Sequence, residues 1–101
     1  MRLLTALLLL CSFHGMAATQ PRLVVLAPHL VEQLYNIDAG KMIVGTVEHA
    51  DYPAAAQQIP RVGNYAGLQL ETILALKPDL VLYWQSGSPA ADISRLQSLG
   101  V

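Results

Sequence analysis

Three aromatic side chains, Tyr52, Tyr65 and Trp84, stand in loops or at the ends of expected elements, in three separated segments. Large flat rings give a ligand extensive contact at low entropic cost, and the Tyr hydroxyl or Trp N–H adds an orienting hydrogen bond. On residue type alone, each ring serves equally well as a plug for the nearest edge of the core. His29 stands near Glu32, and His49 near Glu48 and Asp51, so a metal site is conceivable. Solvent-facing loop histidines are the preferred reading. The chain has no GxSxG elbow, no HExxH, no glycine-rich phosphate loop and no CxxC, the motifs that bring nucleophilic, zinc, phosphate or redox chemistry. Nothing in these residues suggests nucleophilic catalysis.

The elements that position the rings are clearest from Gly63 to Trp84 (GNYAGLQLETILALKPDLVLYW). Leu68, Leu70, Ile73, Leu74 and Leu76 predict a helical apolar stripe. Lys77-Pro78-Asp79 ends it, because Pro78 has no N–H to donate and restricts Lys77 before it. Leu80-Val81-Leu82 predicts a strand covered on both faces. Tyr65 and Trp84 fall outside these elements, and Trp84 directly follows its strand. In an open α/β sheet, ligands bind beyond the carboxyl ends of the strands.

Upstream, Arg22 to Ala27 predicts a first strand. Pro28 opens a helix at its first position, with Gly40 as its C-cap. Met42 to Val47 predicts a second strand, with Gly45 allowing a bend or close approach. Glu48 to Gly63 is a long connection in which Ala54 to Gln58 forms one or two helical turns. After the loop Gln85 to Pro89, Ala90 to Leu99 predicts a helix with Ile93, Leu96 and Leu99 facing inward and Gly100 as its cap. The order β-α-β-loop-α-β-α implies an α/β fold with a parallel sheet and right-handed crossovers.

Hydrophobic residues make up 53% of the 101 and charged ones 13%, with the apolar excess at the start. Arg2, the run Leu3 to Leu10 and the small residues Gly15, Ala17 and Ala18 form a secretory signal peptide over residues 1–17. The apolar run is shorter than the ~20 residues of a membrane-spanning helix, so a signal peptide is preferred to an anchor. Cys11 follows Leu10 rather than a small residue, which argues against lipid attachment. Without the leader the chain has no cysteine and no disulfide. Its basic residues are then Arg22, Lys41, Arg61, Lys77 and Arg95, against seven acidic ones. That balance has no basic cluster and excludes a nucleic-acid footprint.

The segments RLVVLAPHLVEQL, IVGTVEHADYP, IPRVGNYAGLQLETILALKPDLVLYW and LQSLGV, from about Arg22 to Val101, resemble the cobalamin and iron-siderophore class of periplasmic binding proteins. The resemblance is strongest to the vitamin B12-binding members. It implies a Rossmann-like N-terminal lobe of a two-lobe receptor, incomplete here over residues 18–101. It also implies a periplasmic location, capture of cobalamin or a related corrinoid, no cofactor, and delivery to an ABC permease with its ATPase, and on this resemblance the chain is read as a non-enzyme.

The resemblance assigns roles to single residues. Tyr52 falls in the Asp-Tyr-Pro element and Trp84 matches the aromatic after its strand, so with Tyr65 they are the expected ligand contacts. Asp51 orients the Tyr52 loop, with Pro53 fixing the turn. His49, Ala50 and Gly67 shape the same wall, Gly67 by letting the backbone approach closely. Glu71, in the first turn of its helix, matches the acidic residue with which such receptors dock on permease arginines. The helix dipole alone also favours a carboxylate there. The chain departs from its likenesses in three places. Tyr65 stands where Trp is common, Gln69 where a better-capping Asn is common, and Val31 where Thr is frequent. The alternatives are a ferric-siderophore or haem receptor, a chelatase-like α/β enzyme fragment, and a non-functional fragment. Scattered Arg22, Arg61 and Arg95 weigh against an anionic chelate.

Overall fold

The computed structural model describes residues 20–101. The signal-peptide reading of residues 1–17, with Cys11, lies outside the described residues. Strand β1 (Leu23–Val25) is apolar throughout and buried along its length. It is the centre of a parallel sheet in the order β2-β1-β5, between β2 (Ile43–Thr46) and β5 (Leu80–Leu82). Leu23 lies opposite Ile43 on one side and Leu80 on the other, and Val25 opposite Thr46 and Leu82. Parallel pairing in this register brings the carboxyl ends of all three strands to one edge. Inside the sheet, the buried Thr46 hydroxyl donates to the Val25 carbonyl at 2.8 Å, so its polar atom is satisfied.

Side chains alternate across a strand, and the two cores divide accordingly. Leu23 and Val25 join Val31, Ile43, Ala50, Ala56 and Ile59 on one face. Val24 and Leu26 join Val47, Val62, Ile73, Ile93 and Leu96 on the other. Helix α1 (Pro28–Asn36) covers the first face, and α2 (Leu70–Ala75) with α3 (Ala90–Ser98) covers the second. Helices on both faces of a parallel sheet are the expected α/β arrangement.

Several details differ from the sequence expectations. Strand β5 packs Leu82 against one core and Val81 against the other, but it lies at the edge of the sheet. It pairs only with β1 among the described residues, and Leu80 is 53% exposed. Gly40 is not a helix C-cap: α1 ends at Asn36, and Asp38 takes the left-handed turn at φ 61°. Gly40 instead lies under the Tyr35 ring, whose Cδ1 would stand 2.4 Å from any Cβ there. At Gly45 close approach does occur, with Leu76 Cδ1 2.7 Å from where a Cβ would be.

Leu68 belongs to no helix. It ends a small antiparallel ribbon of β3 (Gly63–Asn64) and β4 (Gly67–Leu68), turned at Tyr65-Ala66. The Asn64 side-chain oxygen accepts from the N–H groups of Ala66 and Gly67 at 2.9 and 3.2 Å, a side-chain mimic of a backbone turn. Gln69 then donates its N–H to the Val62 carbonyl at 2.7 Å, which holds the chain extended up to the start of α2. In that helix Ile73 is fully buried and Leu74 is exposed.

Segment Pro60–Gly63 runs beside β2 as an added edge: the N–H of Thr46 donates to Pro60 and that of Val62 to Thr46, at 2.9 and 2.7 Å. The Ala54–Gln58 turns form as expected, as a 3-10 helix. The stop at Lys77-Pro78-Asp79 is tied to the start of β1. Arg22 donates its N–H to the Asp79 carboxylate at 2.7 Å and its Nε to the Leu76 carbonyl at 2.9 Å. In α3, Ile93 and Leu96 point inward but Leu99 is 51% exposed, because the helix has ended at Ser98. Gly100 takes φ 86°, with Gly100 N–H on Gln97 and Val101 N–H on Leu96, both at 3.2 Å. That is the paired C-terminal bonding of a Schellman motif.

Candidate ligand cleft

The three strand ends each lead into a loop that lines one cleft. Leu26, Ala27 and Pro28 follow β1, Val47, Glu48 and His49 follow β2, and Trp84 and Gly87 follow β5. Tyr65 reaches the same cleft from the turn of the β3–β4 ribbon. This is the crevice beyond the carboxyl ends of the strands that open α/β sheets use for ligands. Its volume is about 120 Å³, whereas a pocket enclosing a drug-sized molecule has roughly 300–1,000 Å³. The cleft is thus a partial wall, and both rings stay available: Tyr65 is 80% exposed and Trp84 50%.

Backbone bonds fix how the loops sit. Leu26 donates to the Leu82 carbonyl at 2.8 Å, extending the β1–β5 ladder one step towards the cleft. After β5 the chain turns sharply, with the N–H groups of Gly87 and Ser88 on the Trp84 carbonyl at 3.1 and 2.8 Å. The Ser88 hydroxyl accepts from the Trp84 N–H at 3.1 Å and lies 3.5 Å from the Leu26 carbonyl. After β2, Glu48 donates to the Gly63 carbonyl at 2.9 Å, joining this loop to the base of the ribbon that carries Tyr65. His49 adopts φ 73°.

Of the residues expected at the site, the structure brings Tyr65, Trp84 and His49 together. Tyr52 is 68% exposed and does not line the cleft. Asp51 also lies off the cleft but does hold its loop, through an ion pair with Arg61 at 3.2 Å. Gly67 does not serve close approach: a Cβ there would meet nothing within 4 Å. Gly63 has that role, with φ 142° and the Gly67 carbonyl oxygen 2.4 Å from any Cβ. Glu71 is exposed in the first turn of α2 and has no ion-pair partner among the described residues.

Sequence reasoning missed two neighbours of Trp84. His29 belongs to the first turn of α1 and not to a loop, and its ring meets the indole edge-to-face at 5.2 Å and 84°. Gly87 lies against the benzenoid side of the same indole. A Trp-x-x-Gly-Ser spacing is compatible with a tight turn, but nothing in it points to His29.

Electrostatically the cleft is sparse. Glu48 is the only Asp, Glu, Lys or Arg among its lining residues. Nearby Arg61 is committed elsewhere, to the carbonyls of Val47 and Ala50 at 3.1 Å each and to Asp51. Among the described residues no three His, Cys, Asp or Glu side chains gather as a metal site would require, and no helix is long and apolar enough to cross a membrane.

Residues 23–101 match the periplasmic binding protein family. A vitamin B12-binding protein of Vibrio vulnificus is 42% identical over 100 residues, which cover 99% of this chain and 37% of the relative. The chain thus spans little more than a third of that relative's length. Among solved structures, the periplasmic vitamin B12-binding protein BtuF of Vibrio cholerae matches with a TM-score of 0.75 and 39% identity, over 79% of this chain and 31% of its own. The periplasmic haem-binding protein RhuT of Roseiflexus sp. RS-1 matches with a TM-score of 0.75 and 27% identity, over 82% of this chain and 32% of its own.

Proposed function

The chain belongs to the periplasmic binding protein family, and from that premise we propose that it supplies one wall of a receptor that captures cobalamin for import. Residues 1–17 are its secretory signal and residues 18–101 its N-terminal lobe. The receptor acts in the periplasm and carries its ligand to an ABC permease with its ATPase, without catalysis. The observation that carries this reading is the cleft itself. It presents Trp84 and Tyr65 above an apolar floor at the carboxyl end of the sheet, with no Lys or Arg among its lining residues. A bulky ligand held by stacking and shape suits such a wall, whereas an anionic chelate would call for cations. Support comes from the likeness to vitamin B12-binding proteins over nearly the whole chain.

The remaining wall belongs to a second lobe, consistent with relatives nearly three times as long. Exposed Glu71 is the docking residue towards permease arginines. Rim charges of this kind act mainly on encounter rate and orientation. Asp51 acts indirectly, by holding the loop that carries Tyr52.

One observation favours haem as a second ligand: His49 lines the cleft, and imidazole is a common axial ligand of haem iron. Calorimetric titration with cyanocobalamin and, separately, with haemin distinguishes the two. Heat with cyanocobalamin alone is expected. Heat with haemin alone would transfer the reading to haem, and silence with both would remove the receptor reading.

A further inference from the structure

We infer that His29 and Gly87 are positioning residues that clamp the Trp84 indole in a single orientation at the cleft. The inference rests on the ligand reading above only in its functional consequence, since the contacts that form the clamp lie within the chain itself.

Two contacts, one from the following turn and one from α1, converge on this side chain, and a third holds its main chain. On one side the indole lies so close to the Gly87 backbone that a Cβ there would stand 2.1 Å from Cε3, 2.4 Å from Cζ3 and 2.9 Å from Cδ2. All three atoms belong to the six-membered ring, so no residue but glycine is compatible with this orientation. At the second contact the His29 imidazole meets the ring edge-to-face, with centroids 5.2 Å apart, a favoured aromatic geometry. His29 is carried on α1 immediately after Pro28, whose fixed φ makes this a stiff mount. The third contact holds the Trp84 main chain, through its N–H on the Ser88 hydroxyl at 3.1 Å.

An exposed aromatic on a loop ordinarily samples several rotamers, and a ligand must then immobilise it. A ring already held in place avoids that entropic loss, which is the advantage of preorganisation. The clamp therefore makes half-exposed Trp84 a fixed platform rather than a mobile flap. Neither clamping residue lies where substitution would disturb the core: His29 is exposed, and Gly87 sits in a surface turn.

Trp84 is the sole tryptophan of the chain, so its fluorescence reports on this ring alone. The test compares wild type with His29→Ala, His29→Phe and Gly87→Ala in the full chain, each checked for folding by far-UV circular dichroism. Time-resolved fluorescence anisotropy reads ring mobility without ligand, and cyanocobalamin titration reads affinity. His29→Ala and Gly87→Ala are expected to enlarge the fast depolarising component and to weaken cyanocobalamin binding about three- to tenfold. His29→Phe, which keeps the edge-to-face contact, is expected to restore both. Unchanged anisotropy in both disruptive variants overturns the clamp, whereas increased mobility with unaltered affinity upholds the clamp and overturns its role in preorganising the cleft. Should Gly87→Ala fail to fold, the two His29 variants decide alone. If the wild type binds no cyanocobalamin, the receptor reading falls, and the anisotropy data by themselves uphold or overturn the clamp.

Discussion

Arg61 donates to the Asp51 carboxylate at 3.2 Å, and the same guanidinium nitrogen fork holds the carbonyls of Val47 and Ala50 at 3.1 Å. One side chain thus ties the end of β2 to the loop that carries Tyr52. The backbone bonds matter more than the ion pair, since Asp51 is largely exposed and exposed pairs are worth about 0–1 kcal/mol. Arg61→Ala is expected to destabilise the chain by roughly 1–3 kcal/mol, because two carbonyls lose a charged donor. Asp51→Asn should cost about 1 kcal/mol or less. Urea denaturation of the two variants measures the difference, and an equal cost would mean that the ion pair dominates.

Trp84→Ala removes the clamped ring from the cleft. A loss of cyanocobalamin affinity of about thirtyfold or more is expected, the range of an aromatic hot spot. Tyr65→Ala should cost less, because that ring is more exposed. Tyr52→Ala should cost least of the three, because Tyr52 does not line the cleft. Titration calorimetry on the three variants gives the order, and Tyr52 ranking first would redraw the ligand wall.

Glu71→Arg should leave cyanocobalamin affinity within about twofold, because the carboxylate is exposed and absent from the cleft lining. Association of the loaded receptor with permease in membranes should fall sharply, since a rim charge is inverted. If association stays normal, Glu71 serves only the dipole of its own helix.

Ile73→Ala and Leu74→Ala test which face of α2 is buried. Ile73 is fully buried against Val24, Val47 and Val62, and its truncation should cost about 2–5 kcal/mol. Leu74 is 38% exposed and should cost clearly less, about 1 kcal/mol. Thermal melts compare the pair, and similar losses would contradict the helix register.

Asp79→Ala removes the acceptor for the Arg22 N–H at the turn between α2 and β5. The bond is charge-assisted but solvent-exposed, so a loss of about 1 kcal/mol is expected. Hydrogen exchange localises the effect: the amides of Arg22, Asp79 and Leu80 should exchange faster before any in β2.

The order of elements was legible in the sequence wherever it rests on neighbours a few positions apart. Pro28 opens α1, Lys77-Pro78 closes α2, and Gly100 turns left-handed after α3, each through backbone geometry that one or two residues dictate. The same local reading failed where a distant partner overrode it. Leu68 fitted a helical stripe, but the bond from Gln69 to Val62 draws that stretch into an extended ribbon. Gly40 looked like a cap, but Asp38 makes the turn, and Gly40 is small because Tyr35 packs over it.

From the residues alone came the α/β class and the strand-end location of Trp84, because periodicity and turn chemistry are properties of the chain itself, while the choice of binding over catalysis rested on the family resemblance. Tertiary structure decided the strand order β2-β1-β5, which sets the loops after three strands around one cleft. It also decided that Tyr65 and His49 share that cleft with Trp84, that Tyr52 stands apart, and that His29 and Gly87 grip the indole. Residues 29 and 84 are neighbours only because β1 and β5 pair in parallel, so their contact is a consequence of sheet register, which no local pattern encodes.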